Sequence, residues 1–188
     1  MLMENPLYYC QHISASTTNC ELKNFKPLYD EVALAEYLKK IAKKHEKDNM
    51  NRTYIVRSSV SDIFVGWFGL KVSSLPYQYE KEFFLIPAIE LTHFAIDERY
   101  KKNHKKDEVD ITIGEYIFRK LILSIVISVA EKAGCKDLYI FAINKEKLIR
   151  YYSERLGFKQ LKKIDAEKFM ISAVPEYDRD CIFMYQPI

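Results

Sequence analysis

Glycine is scarce in this chain, with five among 188 residues and no two adjacent. No Gly-rich or Pro-rich stretch marks a linker, no segment repeats, and no tract falls to low complexity. The length suits one domain with a real core and is too short for two comfortable ones, so a single domain over residues 1–188 is expected. Cysteine is thin as well. Cys10, Cys20, Cys135 and Cys181 stand far apart with no CxxC or CxxH spacing, which argues against zinc, and no metal is expected. The longest apolar run, LILSIVISVA at 121–130, falls well short of the ~20 residues that cross a bilayer. It reads as a core helix, and no membrane is expected as a partner. The opening MLMENPLYYC has no basic head followed by an apolar stretch, so free thiols in a reducing cytoplasm are the expectation.

A large excess of one charge is missing too, and a net +3 demands no nucleic acid. What is present is an ordinary globular composition, 48% apolar and 29% charged, which speaks against disorder. Lysines gather in KKIAKKHEK (39–47), RYKKNHKK (99–106) and FKQLKK (158–163), each readable as a solvated face or as a surface for a polyanion.

Periodicity gives the elements. LYYCQHI (7–13) reads as a short strand and NCELKNFKPL as loop. Apolar residues at Val32, Leu34, Ala35, Leu38, Ile41 and Ala42 predict one amphipathic helix over 30–47 with a lysine-rich outer face. RTYIVR and SDIFVGWFGLKVSS alternate as an antiparallel pair, YQYEKEFF reads as loop or crossover, and IPAIELTHFAID (86–97) is apolar enough for a central strand. Residues 112–133 form the most apolar helix, with Gly134 as its C-terminal stop. KDLYIFAIN (136–144) is a strand, KEKLIRYYSERL (145–156) a helix ended by Gly157, and FKQLKKI and RDCIFMYQPI are strand-like. The order predicts an α/β or α+β mixed sheet with helices on its faces.

ELTHFAID, the loop and helix of VDITIGEYIFRKLI with its lone Gly114, LYIFAIN and RLGFK follow one another in an order that resembles the GNAT N-acetyltransferase superfamily. Its members carry an apolar strand ending in Val/Ile-Asp, then an Arg/Gln-x-x-Gly-x-Gly/Ala loop and a long helix. A strand ending in Asn and a helix closing on Tyr-x-x-x-Gly-Phe follow. The match covers residues 88–160. Upstream, the helix at 30–47 followed by RTYIV, VGWFGL and IPAIEL is similar to the branch holding toxins of toxin–antitoxin pairs, which acetylate aminoacyl-tRNA. The resemblance implies a largely antiparallel central sheet flanked by helices and splayed between its two central strands, and acetyl-CoA as co-substrate.

It also implies where that co-substrate would lie. The pantetheine arm would pair with the main chain of Phe94, Ala95 and Ile96 like an added strand. The pyrophosphate would meet the N–H groups of Thr112, Ile113, Gly114 and Glu115 at the helix start, where the dipole favours anions. Asn144 resembles the family's cofactor-contacting asparagine, or else caps the next helix. The loop departs from the pattern: Val109, Asp110 and Thr112 stand where Arg/Gln and two small residues are usual. Within ~5 Å of a pyrophosphate the Asp110 carboxylate would cost about 1 kcal/mol or more, which Lys101, Lys102, Lys105 and Lys106 would offset.

Acetyl transfer needs a neutral amine, a polarised thioester carbonyl and a proton for the leaving thiolate. The backbone amide near Ala95 would polarise the carbonyl. Glu90, among apolar strand neighbours expected to raise its pKa, matches the family's glutamate base; pairing with a lysine at the strand is the other reading. His93, three residues on, points to the opposite face and reads as a core or cleft-rim histidine. For the acid, counting back from Gly157 lands on Ser153, so the helix carries an extra residue and the donor is Tyr152 or its neighbour Tyr151. Three functions fit: an N-acetyltransferase acting on a primary amine, carried by a small molecule or by aminoacyl-tRNA; a toxin acting on aminoacyl-tRNA with a small antitoxin as partner; and a binding module without catalysis.

Overall fold

The computed structural model describes residues 6–16, 19–28, 31–103, 111–161 and 180–188. In chain order the elements are β1 (Tyr8–His12), α1 (Ile13–Ser16), α2 (Asn19–Asn24), α3 (Val32–Lys40), α4 (Ala42–Lys47), β2 (Arg52–Ser58) and β3 (Phe64–Tyr79). There follow β4 (Glu82–Ile96), α5 (Glu98–Asn103), α6 (Ile113–Ile117), α7 (Leu123–Ala133), β5 (Asp137–Ala142), α8 (Glu146–Glu154), β6 (Lys159–Gln160) and β7 (Ile182–Pro187). Among the described residues one seven-stranded sheet runs in the order β1-β2-β3-β4-β5-β7-β6. Its β1–β2, β2–β3, β5–β7 and β6–β7 pairs are antiparallel, and β4–β5 is parallel. This is the mixed sheet with helices that the residue pattern predicts, largely antiparallel as the resemblance implies, with IPAIELTHFAID central in it.

The fold divides into two compact units, Met1–Leu70 with His93–Ile117, and Lys71–Thr92 with Phe118–Ile188. The first is organised around Trp67, which is fully buried with Phe25, Ile13, Leu22, Leu38, Ala42 and Ile55. Ala35, Leu38 and Ala42 recur at helical spacing, so α3 and α4 turn one apolar stripe inward. Phe25 meets Trp67 edge-on at 6.3 Å. Burying rings of this size contributes roughly 2–3 kcal/mol each. In the second unit Leu75, Ala88 and Tyr139 form a buried cluster with Ile86, Phe141, Phe183 and Tyr185 packed against it. Phe158, also buried there, meets Phe118 at 5.5 Å and Tyr152 edge-on at 5.8 Å.

Several elements differ from the sequence expectation, among them the lysine-rich segment after IPAIELTHFAID, expected as loop, whose start is the helix α5. NCELKN is helical (α2), because Leu22 enters the first core and Glu21 Oε1 accepts from the buried Arg57 Nη2 at 2.9 Å. The helix expected over 30–47 is two, broken at Ile41 (φ −115°), a β-branched residue left exposed. YQYEKEFF is no crossover: it is the tip of a β3–β4 hairpin turned at Glu80–Lys81, with Glu80 at φ 54°. Without Gly or Asn at that left-handed position the usual hairpin signal is absent. The helix expected over 112–133 is interrupted by a π-helical stretch, Phe118–Ile122, whose first and last residues are buried. Gly134 ends α7 as expected, at φ 72° with its N–H on Ala130 O at 2.8 Å.

Candidate active site

The parallel ladder between β4 and β5 is short. It joins Ala88 to Asp137, Ile89 to Leu138 and Glu90 to Tyr139, and there it stops, although β5 runs on to Ala142 and β4 to Ile96. Glu90 and Tyr139 are thus the last facing pair before the strands part. Side chains of directly paired residues share a face, and here they touch: Tyr139 Oη donates to Glu90 Oε2 at 3.0 Å. Lys71 Nζ, from β3, lies 3.7 Å from the same oxygen. The Glu90 side chain is 15% exposed. Its surroundings are therefore not only the apolar ones expected from the strand, and the lysine partner weighed as the other reading is present. Burial, then the Glu90 charge, hold the Tyr139 phenol far above the ordinary tyrosine range, while a hydrogen bond from Ser73 works the other way.

Phe94, Ala95 and Ile96 lie in the first unit, with Ala95 and Ile96 buried and Phe94 partly so. Gly66 is what lets β3 come close there: a Cβ on it would lie 2.4 Å from Ala95 O. Asp97, which follows, is buried and donates its N–H to Val65 O at 2.8 Å. Burial alone would raise its pKa, but the Arg99 side chain and the N–H groups of Lys26 and Arg99 outweigh that and hold the carboxyl below its usual range. His93 stacks on both Tyr37 at 3.9 Å and Trp67 at 5.1 Å, two rings that also stack on each other at 5.8 Å. Tyr37 in turn shares a hydrogen bond with His45 Nδ1 at 3.1 Å and accepts one from Asn51 Nδ2 at 3.0 Å. Burial, with the nearby His45 adding to it, pushes His93 down to about 3. His93 is partly exposed at the edge of the first core, within the core-or-rim reading of the sequence.

At the start of α6, Thr112 caps the helix. Its Oγ1 accepts the Glu115 N–H at 3.2 Å and its carbonyl accepts the Tyr116 N–H at 2.9 Å. Gly114 sits inside α6 and is not among the glycines with positive φ, so torsional freedom is not what requires it. The Glu115 side chain is buried. Val109, Asp110, Lys105 and Lys106 lie outside the described residues. On the first unit's flank, Tyr8 meets Tyr100 edge-on at 6.2 Å and Tyr116 at 5.4 Å, and Tyr116 Oη accepts the Leu7 N–H at 3.1 Å.

The α8 helix separates the two candidate acids by burial. Tyr152 is buried against Phe158, whereas Tyr151 is half-exposed, the rings 6.0 Å apart. Phe158 N–H closes the helix on Tyr152 O at 3.0 Å, a span of one residue more than the usual Schellman bond, with Gly157 at φ 82°. Asn144 is exposed and does not cap α8, whose N-cap is Lys145. It lines an open depression of about 450 Å³ with Glu146, Ile149, Arg150 and Ser153. Sequence reasoning missed Tyr139, Lys71, Ser73 and Gly66. Each acts through strand register, which no local pattern reveals. Among the described residues no group of three or more His, Cys, Asp or Glu could hold a metal, and no helix is long and apolar enough to cross a membrane.

No protein-family model matches this chain, and no curated protein matches its sequence. Solved structures do share its fold. A tyrosine variant of the toxin AtaT superposes with a TM-score of 0.67 at 17% identity, over 97% of this chain and 91% of that one. The AtaT variant bound to the C-terminus of the antitoxin AtaR and acetyl-CoA gives 0.62 at 18% identity, over 96% and 93% of the two chains. AtaT complexed with acetyl-methionyl-tRNAfMet gives 0.61 at 20% identity, over 94% and 93%. The fold is thus the one that the GNAT resemblance implied, along nearly the whole chain.

Proposed function

We propose that the protein is an acetyl-CoA-dependent N-acetyltransferase of the toxin kind, acetylating the amine of an aminoacyl-tRNA in the cytoplasm and restrained by a small antitoxin. The observation that carries this reading is the arrest of the β4–β5 ladder at Glu90 and Tyr139 in a fold shared end to end with AtaT. Where a parallel ladder ends, an extended ligand such as a pantetheine arm can add along the strand. Solved AtaT complexes with acetyl-CoA, with the AtaR C-terminus and with acetyl-methionyl-tRNAfMet supply the substrate and partner classes. The lysines of α3, α4 and α5 suit a polyanionic acceptor.

In this reading Phe94, Ala95 and Ile96 take the pantetheine arm, and the amides of Thr112, Ile113, Gly114 and Glu115 take the pyrophosphate. The donor set fits in part: α6 begins with N–H groups and the positive end of its dipole, and Thr112 is small, but the Glu115 N–H must first leave Thr112 Oγ1. The Ala95 region polarises the thioester carbonyl. The acceptor nitrogen bonds to the acetyl carbon and gives up a proton to Glu90, the C–S bond breaks, and the sulfur leaves with the proton of Tyr152. Tyr151 is the alternate donor. Asn144 completes the co-substrate contacts.

A binding module without transfer is the second reading. It is favoured by the Thr112 cap, which already holds the Glu115 N–H that a phosphate would use. Titration calorimetry with acetyl-CoA, followed by turnover with charged and uncharged tRNA, separates the two. Heat with turnover on charged tRNA alone supports the toxin reading, and heat without turnover supports the module. No heat at high micromolar acetyl-CoA refutes both.

A further inference from the structure

A carboxylate on a bare strand turns freely about its last torsion, and either oxygen can face outward. Glu90 is not in that position. Groups from its two neighbouring strands converge on one of its oxygens: Tyr139 Oη from β5 at 3.0 Å and Lys71 Nζ from β3 at 3.7 Å, both on Oε2. Behind them stands Ser73, two residues along β3 from Lys71, which hydrogen-bonds the Tyr139 phenol. The Tyr139 ring is 4% exposed and hemmed in by Phe141, edge-on at 5.9 Å, and by Phe183 at 5.6 Å. A ring so packed cannot swing its hydroxyl elsewhere.

We propose that Tyr139, braced by Ser73 and joined by Lys71, is a positioning residue that locks Oε2 of Glu90 and so presents Oε1 to the acceptor amine. This rests on the reading of Glu90 as the base. Three facts make the arrangement more than a satisfied polar pair. It sits at the last facing position before the strands part. Its donors meet on one oxygen and leave the other uncommitted to them, which is the asymmetry a base requires. And the phenol, pushed far up by burial and by Glu90, keeps its proton across the working pH range and donates throughout.

The test is a double-mutant cycle of Tyr139→Phe and Glu90→Gln, reading kcat, KM for acetyl-CoA and melting temperature. Phenylalanine keeps the ring packing and removes only Oη. Tyr139→Phe is expected to lower kcat by roughly tenfold, the scale of one hydrogen bond to a charged group, with KM unchanged. Added to Glu90→Gln it is expected to do nothing further, because the group it acts through is already gone. An equal loss in both backgrounds, or a lower melting temperature with kcat intact, would overturn the proposal and leave the base assignment standing. Wild-type turnover in Glu90→Gln would remove the base assignment and this proposal with it. Should Glu90→Gln turn over too slowly to close the cycle, Ser73→Ala decides: a drop in kcat of about twofold at constant KM supports the relay, and no change overturns it.

Discussion

Gly66→Ala should damage both stability and co-substrate use, by amounts that the local geometry sets. The added Cβ would stand 2.4 Å from Ala95 O and 3.1 Å from the Ile96 Cα, both backbone atoms that no rotamer change can move aside. Restoring ordinary contact needs roughly 1 Å of separation between β3 and β4. The neighbouring bond resists it, since Asp97 N–H is held on Val65 O at 2.8 Å while Arg99 Nη2 and Lys26 N–H grip the Asp97 carboxylate at 2.7 and 3.2 Å. Overpacking of this kind costs ~1–3 kcal/mol, and immobile neighbours put it at the upper end. Replacing glycine also stiffens the unfolded chain, which returns ~0.4–1 kcal/mol. The net loss is about 2 kcal/mol, or about 4–8 °C in Tm for a chain of this length. Because the displaced atoms belong to the strand proposed to hold the thioester, kcat/KM for acetyl-CoA should fall by roughly 100-fold, the usual result of a 1 Å misplacement. Differential scanning calorimetry and steady-state kinetics read both. A Tm within about 1 °C of the parent and an unchanged kcat/KM would show that the strands part freely at Gly66 and refute the reasoning.

Acid should weaken the fold through His93. Unfolded histidine takes its proton near pH 6.5 while the stacked ring refuses it down to about 3, so the unfolded state binds more protons in that window and stability falls as pH falls through it. Between pH 6.5 and 5 the loss is about 2 kcal/mol, and His93→Phe, which keeps the stack on Tyr37 and Trp67, should flatten it; equal slopes of Tm against pH in both proteins would count against this. Tyr8→Leu removes two edge-on ring contacts that tie β1 to α5 and α6, each worth ~0.5–1.5 kcal/mol, and should raise the acetyl-CoA dissociation constant several-fold while kcat holds. Calorimetry showing unchanged affinity would mean that α6 needs no such support.

The parts of the fold written in periodicity were legible in the sequence. The alternation of RTYIVR, the continuous apolarity of IPAIELTHFAID and the helical spacing of 145–156 all give elements of the expected type. What could not be read depends on partners remote in the chain. Leu22 becomes helical because a core receives it, and Glu80 turns left-handed because the strands around it pair. The π-helical stretch at Phe118–Ile122 shifts register by a residue without disturbing the apolar pattern that would have disclosed it. The site divides in the same way. Glu90 stands out locally as a carboxylate in an apolar run, but Tyr139 is one of several aromatics in LYIFAIN, and only the Glu90–Tyr139 register singles it out. Tyr151 and Tyr152 are adjacent and alike in the sequence, and their difference in burial arises only because Tyr152 packs on Phe158.

Transfer of labelled acetyl from acetyl-CoA to a pool of charged tRNA by the purified protein tests the central claim most directly. The expected result is label that precipitates with the RNA, is released by mild base as an N-acetyl amino acid, and is absent when the tRNA is stripped of its amino acids beforehand. Equal labelling of stripped and charged tRNA, or none with either while acetyl-CoA binds, would contradict it.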